Sequence, residues 1–178
     1  MAVNFGLLLI RVIVGLTLAA HGAQKLFGWF GGGGLRSTAV NFEKMGYRPG
    51  NVMALLAGLG EAGGGALVAL GLLTPLGAAL IIAVMVAAVA TVHLPNGIWA
   101  TSNGYELNLV YGAVAFALAG VGAGQISLDN VIGWDVAGTG WALGALAIGL
   151  VGGIGAVLSG RQATARAQAS RPGAPHAA

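Results

Sequence analysis

Cysteine is absent from the chain, and charge is scarce. Without a thiol there is no disulfide, no thiolate metal site and no dithiol redox chemistry by this chain alone. Only 7% of the 178 residues are charged, against about 25% in a soluble domain. A chain this poor in charge belongs in lipid. Several motifs are missing as well. Gly31 to Gly34 is not followed by the Gly-Lys-Ser/Thr of a phosphate loop, and neither a dinucleotide fingerprint nor a nucleophile triad is present. No ligand set for haem or iron–sulfur can be assembled. No ligand pair has the close helical spacing of a metal site. The net charge of +3 comes from loops and the tail, so it reports membrane orientation and not nucleic-acid binding.

What is abundant is apolar residues, at 57%, and glycine, with 33 copies. Both suit helices that pack closely in a bilayer. The pattern predicts five spans: Asn4 to about His21, Asn51 to Leu73, Leu76 to His93, Glu106 to Val121 and Thr139 to Ser159. The class is all-α, a polytopic membrane helix bundle. The first run has the wrong flanks for a signal peptide. No basic residue precedes it and Arg11 interrupts it, so it is expected to be a retained helix. Between the first two spans, Arg36 to Met45 suits a short interfacial helix, with Phe27, Trp29 and Phe30 at headgroup level. With five spans, seven of the eight Lys and Arg fall on one side. The positive-inside rule then puts the N-terminus outside and the C-terminus in the cytoplasm.

Two polar groups stand out. Arg11 and Glu61 each lie ten residues from the cytoplasmic end of their predicted span, roughly 15 Å deep at the helical rise. A charge at that depth is expensive, about 2.5–3.5 kcal/mol on insertion scales, so a buried Arg11–Glu61 ion pair is expected, as a lock on helix register or, alternatively, as a ligand or proton site. The second group gathers where three spans end: His21, His93 and Glu106, with Lys25, Asn96 and Tyr105 close in sequence. Histidine can give or take a proton near neutral pH. The group is therefore a candidate ligand site, and helix capping by the same residues is the alternative. The spacings Gly140/Gly144 and Gly149/Gly153 in the last span predict helix contact, either within one chain or between two copies in a homo-oligomer. Asp129 and Asp135 are expected to be solvated loop residues.

Arg11 with Gly15, His21-Gly22, Lys25 to Gly28, Glu61 with Gly63 to Gly65, Leu70-Gly71-Leu72, His93 with Asn96-Gly97, Gly104-Tyr105-Glu106 and Ser127-Leu128-Asp129 recur in order. In this set the chain resembles the DoxX family of bacterial membrane proteins. The resemblance implies a four-helix membrane core over residues 1–129. The loop and fifth C-terminal transmembrane helix over 130–159, and a disordered basic cytoplasmic tail over 160–178, lie outside it. It implies a place in the bacterial plasma membrane. Relatives include the DoxD-type subunit of a thiosulfate:quinone oxidoreductase, which implies a redox assembly linked to oxidative stress. Catalytic residues are not assigned. The expected ligand is a quinone near the cytoplasmic face, with electrons from a soluble redox protein. The alternative is a non-enzymatic bundle that binds or transports a lipid or small molecule.

Overall fold

The computed structural model describes residues 1–134 and 136–169, and every regular element among them is helical. Helix α1 spans Ala2–Phe27, α2 Gly34–Lys44, α3 Gly50–Leu70, α4 Thr74–Ala88, α5 Glu106–Val121, α6 Leu128–Val131 and α7 Thr139–Ala169. Four rods are long and apolar enough to cross a membrane: α1, α3, α4 with its extension to Asn96, and α7 up to Arg166. Helix α5 is apolar but has only 16 residues, about 24 Å at 1.5 Å per residue. It falls short of a hydrocarbon core of about 30 Å.

Helix α1 runs longer than the sequence reading allowed. Nothing between His21 and Phe27 breaks a helix, and the chain turns only at Gly28, in the left-handed conformation. This extension changes every depth counted from His21. Helix α4 ends less abruptly: it loosens into a π turn over Val89–His93 and then a 3-10 turn over Leu94–Asn96. Pro95 supplies the reason. It has no N–H to return to the preceding turn, and its ring crowds the carbonyl there.

The most extensive helix pairing is α1 against α3, and glycine makes it possible. A Cβ on Gly15 would lie 2.5 Å from the Ala69 nitrogen, and one on Gly22 would lie 2.6 Å from the Gly58 oxygen. Backbone therefore meets backbone along this antiparallel seam, the close approach that small residues allow in membranes. Helix α4 packs on α3, α5 and α7. The core between them contains Leu18, Val68, Ile81, Ile82, Met85 and Leu118. Outward-facing Leu9, Ile13, Leu59, Ile148 and Val151 are exposed and form a lipid-facing surface. The chain is a multi-pass membrane protein.

Helix α7 is an integral part of the bundle. Gly149 packs on Ile82 and Gly153 on Ala83 and Val86 of α4, whereas Gly140 and Gly144 have open space beside them. Of the two contacts expected for this stripe, within the chain or between copies, Gly149 and Gly153 make the first. The tail is corrected. Helix α7 continues to Ala169, so residues 160–169 are helical, and the first turn of this extension is docked. The Arg161 Nε donates to the Tyr47 hydroxyl at 3.1 Å, and Thr164 donates to the Gly46 carbonyl at 2.6 Å. Residues 170–178 and Asp135 lie outside the described residues.

Candidate ligand-binding site

Pairs along the α1–α3 seam fix which residues are level. Gly15 meets Ala69, Gly65 meets Ala19, and Gly22 meets Ala62. The same register sets Glu61 level with Ala23, while Arg11 falls beyond Ala69, at the α3–α4 turn. Twelve residues of helix separate the Arg11 and Ala23 levels, about 18 Å. The expected Arg11–Glu61 pair is therefore not formed. Each charge has other partners, at opposite ends of the bundle.

Glu61 pairs with Lys25, Nζ to Oε2, at 2.5 Å. Its side chain is 8% exposed and that of Lys25 31%. Lys25 reaches it from the last turn of α1, where a cation also meets the negative end of the helix dipole. The pair borders a partly open cavity of about 480 Å³ lined by α1, α3, α4, α5 and α7. Leu18, Met53, Leu80, Val84, Met85 and Leu107 supply much of its apolar wall. His21, His93, Asn108 and Tyr111 add polar groups.

The hydrogen bonds select one neutral tautomer for each of the two histidines. Gln24 gives its Nε2 to the Phe30 carbonyl at 3.1 Å, so its Oε1 faces His21 Nδ1, also at 3.1 Å. His21 Nδ1 must therefore donate. His93 Nδ1 lies 2.8 Å from the Asn103 carbonyl and must donate too. In each neutral ring the proton is on Nδ1, which leaves Nε2 as an acceptor.

Of the six residues expected at the site, three line the cavity: His21, His93 and Lys25. Glu106, Asn96 and Tyr105 do not. Glu106 accepts from the Ala100 nitrogen at 2.9 Å, Asn96 donates to the Val92 carbonyl at 3.1 Å, and the Tyr105 nitrogen donates to the Gly97 carbonyl at 3.1 Å. These three organise the turn-rich connection between α4 and α5. It needs them because it has few helical hydrogen bonds of its own. Among the described residues, no three His, Asp or Glu side chains gather closely enough to share an ion. The sequence reading did not group Glu61 with Lys25 and the histidines, because it gave that carboxylate to Arg11. The unbroken helical run through Lys25 was the signal that would have joined them.

At the other end, Arg11 is fully buried. Its Nη1 donates to the Ala69 carbonyl at 3.4 Å and its Nη2 to the Ile126 carbonyl. Gly71 is left-handed at φ 61°, and a side chain there would run into the Arg11 guanidinium. Asp129, expected in solvent, is 3% exposed. Its carboxylate accepts from the Leu73 nitrogen at 2.7 Å, the Thr74 nitrogen at 3.1 Å and the Thr74 hydroxyl at 2.7 Å. It caps the start of α4 from another segment and places a negative charge at the positive end of that helix. Arg11 and Asp129 together fasten the 122–134 connection to the α3–α4 turn, so this end is a structural lock.

No curated protein and no solved structure matches the chain. The DoxX family model matches residues 6–94. That half of the chain carries Arg11, Gly15, His21, Gly22, Lys25, Glu61, Gly71 and His93, from the lock at one end to the ion pair and histidines at the other. The chain belongs to the DoxX family.

Proposed function

We propose that the chain is the ligand-holding membrane subunit of a redox assembly, and that its cavity takes the headgroup of a quinone-class lipid. The observation that carries this reading is the Lys25–Glu61 pair and two histidines on the border of a predominantly apolar cavity. A pocket with apolar walls and a few convergent polar groups is the usual form of a small-molecule site. An isoprenoid-like tail fits the wall, and a ring with oxygen substituents fits the polar end. Interconversion of quinone and quinol moves protons together with electrons. His21 and His93 are suited to exchange the protons. The electrons need a soluble partner, because the chain has no thiol. Positive-inside asymmetry supports a cytoplasmic position for this end. Lys25, Arg36, Lys44, Arg48, Arg161 and Arg166 all belong to it or to the segments that start there.

The test is direct. The protein is purified into nanodiscs of synthetic lipid and its retained small molecules are extracted and identified by mass spectrometry. It is then titrated with a decyl-tailed quinone. Retention of a quinone, lost in His21→Gln and His93→Gln variants of normal folded yield, is the expected result. Lipid retained without any quinone affinity would support a non-enzymatic binding or transport bundle instead.

A further inference from the structure

The quinone reading above leaves the selectivity of the cavity open, and the donor–acceptor inventory around Glu61 addresses it. We propose that the cavity takes uncharged amphiphiles whose headgroup donates a hydrogen bond through a hydroxyl, and that Glu61 bars amphiphilic anions from it. This deepens that reading and rests on its choice of cavity, though not on a quinone as the occupant.

Charge is the first argument. The Lys25 ammonium and the Glu61 carboxylate are in contact at 2.5 Å and cancel. An entering carboxylate or phosphate finds the cation already engaged and an almost fully buried anion beside it. Like charges brought together in a desolvated site are strongly discriminating. A neutral headgroup meets no such barrier.

Hydrogen bonding is the second argument, and it is independent of the first. The bonds from His21 to Gln24 and from His93 to Asn103 leave both Nε2 atoms as acceptors in the neutral rings. The Glu61 carboxylate accepts only. Lys25 gives one of its three N–H donors to Glu61, and the Tyr111 hydroxyl on the cavity wall can donate or accept. Asn108 gives its amide to Met85 Sδ at 3.5 Å. The cavity therefore presents donors and acceptors together, the acceptors being both imidazole Nε2 atoms and the Glu61 carboxylate. A headgroup made only of carbonyls leaves these acceptors unmatched, whereas a hydroxyl satisfies one of them. A quinol is thus held better than its quinone, and a monoacylglycerol belongs to the same class.

The experiment uses the full chain in nanodiscs with three probes of matched tail: dodecylhydroquinone, monolaurin and laurate. Binding is measured by native mass spectrometry and calorimetry at a pH of about 8, where the fatty carboxylate is ionised. The expected result is binding of hydroquinone and monolaurin, with laurate at least about tenfold weaker. Glu61→Gln is expected to narrow that gap by about tenfold, because it frees the Lys25 charge for the carboxylate. The wild-type comparison stands even if that variant does not fold. Laurate binding as tightly as the neutral probes overturns the proposal, as does binding of none of the three. Hydroquinone binding without monolaurin overturns it as well, while leaving the quinone reading in place. Monolaurin binding without hydroquinone overturns it too, and sinks the quinone reading with it.

Discussion

Removing one partner of the Lys25–Glu61 pair should cost stability unequally, and the inequality follows from exposure. Glu61 lies at mid-helix in α3 with an 8% exposed side chain. If Lys25 becomes Met, that carboxylate keeps its charge without a partner. A fully buried pair broken this way costs about 3–5 kcal/mol. The Lys25 side chain is 31% exposed, so water already screens part of the interaction and the figure falls to about 2–3 kcal/mol. The reverse change, Glu61→Gln, leaves a lysine near the end of α1 whose long stem can carry the ammonium to water. That loss should be about 1 kcal/mol. In the double variant neither charge is stranded, so the combined loss should fall below the sum of the single losses by about 1–2 kcal/mol. Unfolding in mixed micelles with increasing denaturing detergent provides the assay, with helicity as the signal. A parallel cycle on Arg11 and Glu61 should show no coupling, since about 18 Å of helix separates their levels. Additive losses for Lys25 and Glu61, or clear coupling between Arg11 and Glu61, would refute the reasoning.

The other end of the bundle should respond to Asp129→Ala with a loss of about 2–4 kcal/mol, since three donors on Leu73 and Thr74 lose their acceptor; Asp129→Asn should cost less, and thermal unfolding in detergent measures both. Gly22→Val should destabilise the α1–α3 seam more than Gly140→Val destabilises α7, because a Cβ at Gly22 meets α3 backbone while Gly140 faces open space; folded yield on size exclusion decides it. Phe27, Trp29 and Phe30 are 61%, 59% and 70% exposed and should sit at headgroup depth. Quenchers placed along the lipid chains should report shallow positions for single-Trp variants there, and full aqueous exposure of all three would count against interfacial seating.

The course of the chain was legible because its physics is local. Apolar runs bounded by Pro-Gly, Thr-Pro and Pro-Asn-Gly signals mark helices by composition and breakers alone. Helix α5 emerged with the expected bounds, Glu106–Val121, and the interfacial α2 as Gly34–Lys44. The errors arose where an end was placed by hydropathy although no breaker stood there. Ending α1 at His21 left out the turn that holds Lys25. Ending α7 at Ser159 left out a turn whose Arg161 and Thr164 bond to the 46–47 loop. Polar residues at the end of a membrane helix lower hydropathy without ending the helix.

The pairing of the charges was the part that a depth count could not supply. Two buried charges of opposite sign, each near the middle of a span, suggest one another. That inference assumes the bundle has no third candidate. Here there are two more: Lys25, which claims Glu61, and Asp129, which lies in a connection and is nevertheless buried. Arg11 needs no direct carboxylate contact, because the carbonyls of Ala69 and Ile126 receive its guanidinium. Guanidinium has donors enough to be held by backbone oxygens that helix ends and turns leave free. A lysine suits the other end for the opposite reason: it is a single point charge on a long stem, able to reach a carboxylate from a helix terminus. The division between the locked end and the cavity end thus follows from which cation stands at which level. An Arg11→Lys variant should test this directly: it preserves the charge but loses the fork, so it should loosen the 122–134 connection, read by amide exchange, and leave ligand affinity at the far cavity unchanged. A change in ligand affinity with no change in exchange would show that the two ends had been assigned the wrong roles.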